Sequence, residues 1–264
     1  MKGPLCWFGG KGTMWNNIIS EFPLSFHMYI EPFAGGLSVF FHKEPSPVEI
    51  INDLDGNVYA LYKVIQDKEL FKELKHKCDL SVFSRELKDE YKQILKTELS
   101  MVDRAYYFWY VNRTSRNGIG GFKVSTIIRR KMSKSTSDFL SAIERLEDIH
   151  QRLSSAIIEH YDALELINKY KEYSDTFFYL DPPYSHETRT STRYNVDFSP
   201  EQQKKLVDVL LTTKSKVLLS GYANIEYERL EQAGWNRKEF KVATVDGAQN
   251  SKEKIECLWF NYHK

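Results

Sequence analysis

Apolar residues along this chain follow two spacings. Short runs, Met28-Tyr29-Ile30, Val48-Glu49-Ile50-Ile51-Asn52-Asp53, Ala156-Ile157-Ile158-Glu159-His160-Tyr161, Thr176-Phe177-Phe178-Tyr179-Leu180 and Lys216-Val217-Leu218-Leu219-Ser220-Gly221, predict strands, the fourth of them buried. Between them the spacing changes to three and four. Val58, Leu61, Tyr62 and Ile65, then Leu70 and Leu74, then Leu87, Tyr91, Ile94 and Leu95 predict helices from 58 to about 100. The aromatic run Tyr106-Tyr107-Phe108-Trp109-Tyr110 continues this pattern over 103–112 and reads mostly as core. Residues 135–155, with Phe139, Leu140, Ile143, Leu146, Ile149 and Leu153 at helical spacing, predict one amphipathic helix. Further helices are expected over 14–21, from Leu37, near Ala163, and from Ser199, where Pro200 takes the first helical position. Residues 240–245 and 255–262 predict a final strand pair around the turn 246–251. Strands alternating with helices predict an α/β sheet, and the helical window from 58 to about 134 predicts an insertion into it.

Composition narrows this picture. At 264 residues and 42% hydrophobic the chain has material for a real core, and 14% aromatics suit both packing and base stacking. The net charge is +1, so any claim on nucleic acid must rest on local charge. Cys6, Cys78 and Cys257 lie far apart without metal-ligand spacing, which predicts a reducing compartment and no metal site. The N-terminus lacks a long apolar segment and no run is long enough to span a bilayer, so a soluble, cytoplasmic protein without membrane partners is expected.

Candidate chemistry sits at the ends of the strands. The run 176–180 leads into Asp181-Pro182-Pro183-Tyr184. The two prolines end the strand, and Asp181 is pushed into extended backbone by the proline after it. A carboxylate, a fixed carbonyl and an aromatic face then stand at an edge where ligands bind in open α/β sheets. An exocyclic amine of a nucleobase needs these three: two acceptors for its hydrogens, Asp181 and the Pro182 carbonyl, and Tyr184 to stack on its ring. The plain alternative is a proline-terminated strand with a chance acid.

Three other stretches join it. Trp7-Phe8-Gly9-Gly10-Lys11-Gly12 is a glycine turn in which Trp7 and Phe8 can flank an aromatic ligand and Lys11 can reach an anion; alone it reads as a bland turn. Glu31-Pro32-Phe33-Ala34-Gly35-Gly36 follows a strand as a glycine turn, the layout of a nucleotide-binding edge but not a phosphate-cradling loop. Asp53 ends the second strand where an acid takes a ribose diol, although Asn52-Asp53 is also an ordinary turn. Asp162 either meets a cofactor's adenine edge or caps the helix near Ala163.

The span 104–134 carries Arg104, Arg113, Arg116, Lys123, Arg129, Arg130, Lys131 and Lys134 with no acid. Asn112, Asn117 and four glycine or aromatic positions, Gly118, Gly120, Gly121 and Phe122, are interleaved. Charge unopposed over that length suits phosphate anchoring with base-edge readout; a solvated charged face is the alternative. Residues 185–199, with Arg189, Arg193 and Tyr194, read as a loop able to close over an extruded base, or as plain surface.

Taken together, the order W-x-G-G-K, E-P-F-x-G-G, an acid after the second strand, then D-P-P-Y resembles the Dam-type DNA adenine N6-methyltransferases over nearly the whole chain. Asn112-Arg113 with Asn117-Gly118 is similar to the start of that family's recognition loop. The resemblance implies a class I, Rossmann-like methyltransferase sheet binding S-adenosylmethionine. Its catalytic domain would comprise 1–57 and 135–264, and an inserted, mainly helical target-recognition domain 58–134. It implies cofactor contact at Trp7, Lys11, Phe33, Gly35, Asp53, Asp162 and Asp181, and a flipped adenine held by Asp181, Pro182 and Tyr184. Double-stranded DNA is the implied partner, met by Arg113, Arg116, Asn117, Lys123, Arg129 and Arg130. The protein is expected to act as a monomer or weak dimer, with a restriction endonuclease as counterpart, in a prokaryote or phage. Two departures fall on the DNA-reading side: Cys6 where the family often has a basic residue, and Phe122-Lys123-Val124-Ser125 in place of Asn-Val-Pro-Phe-Gly. The chemistry is expected to carry over; the GATC target is not implied. The rival readings are an amino-methyltransferase for cytosine, RNA or a protein amide, which more often carries Ser or Asn in place of Asp181, and a DNA-binding protein that has lost catalysis.

Overall fold

Every apolar run forms a strand. The computed structural model describes residues 1–7, 9–183, 198–243 and 253–263. In chain order α1 (Trp15–Ser20), β1 (Met28–Glu31) and β2 (Val48–Asn52) come first. Four helices follow, α2 (Gly56–Gln66), α3 (Lys68–Asp79), α4 (Arg85–Ile94) and α5 (Met101–Thr114). A short hairpin, β3 (Ile128–Arg129) with β4 (Met132–Ser133), precedes α6 (Lys134–Glu144), α7 (Leu146–Leu153), β5 (Ile157–Glu159) and α8 (Ala163–Tyr170). The rest is β6 (Thr176–Leu180), α9 (Pro200–Leu210), β7 (Lys216–Gly221), α10 (Ile225–Gln232), β8 (Asn236–Ala243) and β9 (Glu253–Phe260).

Contacts divide these elements between two units. The second unit, Asn16–Ala34, Glu44–Leu54 and Tyr161–Lys264, holds six of the main sheet's seven strands. They run in the order β2-β1-β6-β7-β9-β8, the first four mutually parallel and β9 antiparallel to both its neighbours. Register places Ile50, Ile30, Phe178 and Val217 side by side across the four parallel strands. Leu180 and Leu219 form the next row. These side chains are buried together with Leu166 and Ile167 of α8, Leu206, Val207 and Leu210 of α9, and Tyr227 and Leu230 of α10. Burial of such a side chain contributes about 1.5–3 kcal/mol, so this layer holds the strand ends in place. Helix α9 starts on a complete capping box, Ser199 accepting from Gln202 N–H and the Gln202 side chain accepting from Ser199 N–H.

The first unit comprises Met1–Trp15, Gly35–Lys43 and Asp55–His160 and contains the whole of the expected insertion. Helices α2, α3, α4 and α5 pack around buried Tyr62, Leu74, Tyr106, Trp109 and Tyr110, as the aromatic run led one to expect.

Two local expectations fail, and two short features go beyond them. No regular helix starts at Leu37; 38–42 is a run of turns with helix-like bonds from Phe41 N–H to Leu37 O and Lys43 N–H to Val39 O. Gly35 and Leu37 both have positive φ (46° and 51°), which a helix cannot continue, and Pro45 and Pro47 close the segment downstream. Residues 134–153 form two helices broken at Arg145; the apolar positions keep their spacing across the break, so the pattern does not reveal it. The hairpin β3–β4 and helix α10 were not expected, being too short to establish a period. The loop 185–197 and the turn 246–251 lie outside the described residues. Among the described residues no helix is long and apolar enough to cross a membrane, and no group of His, Cys, Asp and Glu could hold a metal ion.

Candidate active site

Four parallel strands deliver their C-terminal ends to one edge of the second unit's sheet. β6 is buried throughout and stops at Leu180, where Asp181-Pro182-Pro183 begins; Pro182 is buried and Asp181 half-buried. β7, alongside, ends in Ser220-Gly221. The fully buried Ser220 hydroxyl donates to Asp181 Oδ1 at 3.0 Å and lies 3.4 Å from Leu180 O and 3.3 Å from the Tyr179 hydroxyl. Ser220 thus aims the carboxylate. Burial first, and the Asp181 charge second, push the Tyr179 and Tyr227 hydroxyls up, so both phenols stay neutral beside the carboxylate. Tyr184, the third member expected here, lies outside the described residues.

On the other side of β6, β1 leads into Glu31-Pro32-Phe33-Ala34. Ala34 N–H donates to Asn52 O at 2.8 Å. The Asn52 side chain, buried at the end of β2, donates to Pro32 O at 2.9 Å and Tyr161 O at 3.1 Å and accepts from Tyr161 N–H at 2.7 Å. One carboxamide therefore fixes the glycine-turn entry, the end of β2 and the segment before α8. Asp53 follows it, half-buried. Phe33 is half-buried and meets Phe198 edge-on at 5.6 Å. Tyr29 donates to the buried Glu31 carboxylate at 2.7 Å; burial and then this charge push the phenol well up, so it stays protonated. Asp162 is the N-cap of α8, its Oδ1 accepting from Leu164 N–H at 2.8 Å and Glu165 N–H at 3.4 Å. Of the two roles expected for it, the cap is the one seen.

In the first unit, half-buried Trp7 and the glycine turn shape one another. A Cβ on Gly35 would lie 2.6 Å from Trp7 Nε1, and one on Gly36 2.6 Å from Trp7 Cβ. The Tyr62 hydroxyl donates to Gly35 O at 2.6 Å. The glycines are thus required by the indole itself, before any ligand is considered. Lys11 is buried, with Nζ 3.5 Å from Gly9 O, and Phe8 lies outside the described residues.

The basic segment corrects the expectation of unopposed charge. Lys123, Arg129 and Lys134 converge on Asp138 at 3.1, 3.1 and 2.7 Å, and Arg130 grips Glu144 with two bonds of 3.1 and 2.7 Å. Burial raises the Asp138 carboxyl, but hydrogen bonds from Lys134 and Lys123 outweigh it and hold the group at about 2. These acids come from α6, which follows the basic span in sequence and lies beside it in space. Arg113 is buried, bonding Cys6 Sγ at 3.1 Å and Asp138 O at 3.3 Å, and so is a structural residue rather than a surface one. Arg116, Asn117 and Lys131 are exposed. Arg130 and Lys131 form the hairpin tip with φ of 55° and 61°, unfavourable for non-glycine residues, and Ile127 and Ile128 stand exposed beside them.

Sequence reading missed Asn52 as a staple and Ser220 as the partner of Asp181. A serine closing an otherwise apolar strand, Val217-Leu218-Leu219-Ser220, was the available signal for the second.

The model of the D12 class N6 adenine-specific DNA methyltransferase family matches residues 7–252. The chain belongs to this family. Among curated relatives, the type II methyltransferase M.MjaIII of Methanocaldococcus jannaschii is 25% identical with 99% of each chain covered. M1.LlaDCHI of Lactococcus lactis subsp. cremoris is 26% identical, covering 93% of this chain and 89% of the relative. M.CviBI of Paramecium bursaria Chlorella virus NC1A is 27% identical, covering 87% and 90%. The Dam-type resemblance is borne out, and the mostly parallel seven-stranded sheet is a class I methyltransferase sheet. The enzyme is an adenine-specific DNA methyltransferase, and membership in the family implies S-adenosylmethionine as donor.

The geometry makes Ser220→Ala informative. If the Asp181 carboxylate acts on the substrate, removing the hydrogen bond that holds it should lower kcat about tenfold, on the scale of 1.4 kcal/mol, with the KM for DNA little changed. Steady-state kinetics on duplex DNA reads both; unchanged kcat would remove Ser220 from the site.

Proposed function

We propose that the enzyme moves a methyl group to N6 of an adenine extruded from duplex DNA, and that Asp181 and the Pro182 carbonyl hold the amine. The observation that carries this reading is the Asp181 carboxylate, fixed by Ser220 at the end of a fully buried strand and followed by two prolines. The adenine amine is a weak nucleophile because its lone pair is delocalised into the ring. Two acceptors on its hydrogens favour the pyramidal nitrogen that can attack, and the carboxylate stabilises the charge that develops there. Asp181 takes the proton only as the methyl arrives, when the nitrogen becomes acidic. Tyr184 would stack on the base, as the motif implies.

The donor's groups suit the residues at the sheet edge. Asp53 is a half-buried acid fit for a ribose diol, and Phe33 offers a half-buried apolar face to a purine. Trp7, Lys11 and Gly35 are assigned to the donor through the family motif. Asp162, whose two cap bonds both fall on Oδ1, is assigned with them through the same motif. When bound, S-adenosylmethionine would supply an electrophilic methyl on a sulfonium, the S–CH3 bond breaking as N–CH3 forms and the sulfur leaving as the neutral thioether.

The segment 58–134 is assigned to target recognition. Its DNA-facing groups are the exposed Arg116 and Asn117 and the hairpin with Arg129, Arg130 and Lys131; Lys123 shares Asp138 with Arg129. The Arg130–Glu144 pair is exposed on both sides, and such pairs contribute little, so a phosphate can take over the Arg130 guanidinium. Lys131→Ala should weaken duplex binding across sequences and reduce the slope of log K against log salt by about one. Arg113→Ala should instead lower the melting temperature, because Arg113 is buried. Filter binding at several salt concentrations, with thermal melts, separates the two. We assign a restriction endonuclease as counterpart and a monomeric or weakly dimeric state, testable by sizing.

Labelled S-adenosylmethionine and duplex DNA, followed by nucleoside analysis, test the whole reading. N6-methyladenine is the expected product; label in cytosine, in RNA or in no nucleoside would overturn it.

A further inference from the structure

We propose that Asn112 is a positioning residue tying the DNA-reading segment after α5 to the Trp7 loop, so that duplex binding by one and donor binding by the other strengthen each other. The proposal rests on the functional reading of those two segments given above. Asn112 is buried in the last turn of α5. Its Oδ1 accepts from Cys6 N–H at 2.8 Å, and its Nδ2 donates to Cys6 O at 3.0 Å and to Gly118 O at 3.3 Å. A single side chain thus satisfies both backbone groups of a residue 106 positions away, as a neighbouring strand would. Both amide hydrogens are committed, one to each segment. Gly118 approaches so closely that a Cβ there would sit 1.9 Å from Cys6 O. The next residue, Arg113, donates to Cys6 Sγ at 3.1 Å.

Cys6 is therefore gripped at its N–H, its carbonyl and its thiol, and Trp7 follows it directly. Trp7 in turn fills the space that Gly10, Gly35 and Gly36 leave. On the other side, Gly118 follows the exposed Asn117, whose φ is 52°. There is no slack in this connection. A displacement of the Asn117-Gly118 backbone by DNA must move the carboxamide, and with it the backbone that aims Trp7.

Asn112→Asp tests the link. It is isosteric and keeps the acceptor for Cys6 N–H, but replaces both donated bonds with an oxygen facing two carbonyls. The dissociation constant of S-adenosylhomocysteine is measured by calorimetry on the full chain, with and without saturating duplex DNA. In the wild-type protein duplex should tighten it about fivefold or more, and by linkage S-adenosylhomocysteine should tighten duplex binding by the same factor. In a folded Asn112→Asp variant the ratio should fall to about one. An unchanged ratio in that variant, or no coupling in the wild type, would overturn the proposal. If Asn112→Asp does not fold, hydrogen exchange on the wild type decides: S-adenosylhomocysteine alone should slow exchange in peptides covering 112–118, and unaltered exchange there sinks the link. A wild-type protein that binds neither probe would sink the functional reading, and this inference with it.

Discussion

Asp181→Ala is expected to slow methyl transfer by about a thousandfold or more while leaving duplex binding nearly intact. The reasoning starts from what alanine removes. The carboxylate is the one charged acceptor at the end of β6 that Ser220 holds in place, and it lies next to a carbonyl whose own residue is a buried proline. In the proposed mechanism, alanine would leave one amine hydrogen without its acceptor and the developing positive charge without its counter-charge. Removing one preorganised group from an oxyanion hole costs a hundred- to a thousandfold, and a full charge acts at the upper end of that range. Asp181→Asn should fall between, since the amide oxygen still accepts but carries no charge. Single-turnover transfer from labelled donor to duplex DNA gives the rate, and filter binding gives the affinity. A rate within tenfold of wild type for Asp181→Ala would remove the carboxylate from the chemistry.

Gly118→Ala is expected to destabilise the first unit by about 2–5 kcal/mol, through two separable costs. Gly118 has φ of 82°, where alanine is disfavoured by about 1–2 kcal/mol. Its new Cβ would stand 1.9 Å from Cys6 O and 2.7 Å from Asn112 Nδ2, so backbone must move, for about 1–3 kcal/mol more. Gly121 is the internal control: it lies three residues on, and a Cβ there meets nothing within 4 Å. Gly121→Ala should leave the melting temperature essentially unchanged while Gly118→Ala lowers it by several degrees. Equal melting of the two variants would contradict the packing described around Cys6.

Much of the sheet could be read in the chain because its causes are local. β6 spans the five residues of the apolar run 176–180, and α9 begins where Ser199, Pro200 and Gln202 announce a capped start. Asp181-Pro182-Pro183 was legible for the same reason: prolines act on their own backbone and on the residue before them, whatever surrounds them. The helix expected from Leu37 failed where a local rule met a tertiary one. Trp7 needs Gly35 and Gly36 bare, and the backbone that provides this has a left-handed residue at Leu37.

What the sequence by itself determined was where the parallel strands and most of the longer helices stand, and that an acid and two prolines end the central strand. Those outcomes follow from side-chain spacing and from backbone restrictions within a few residues. The tertiary structure alone decided which polar groups meet. Ser220 reaches Asp181 across 39 residues, Asn52 reaches Tyr161 across 109, and Asn112 reaches Cys6 across 106. It also decided that the basic segment is not unopposed, because α6 brings Asp138 and Glu144 against it, and that Arg113 is an interior strut. A hydrogen bond or an ion pair depends on separation in space, and separation along the chain carries no record of it.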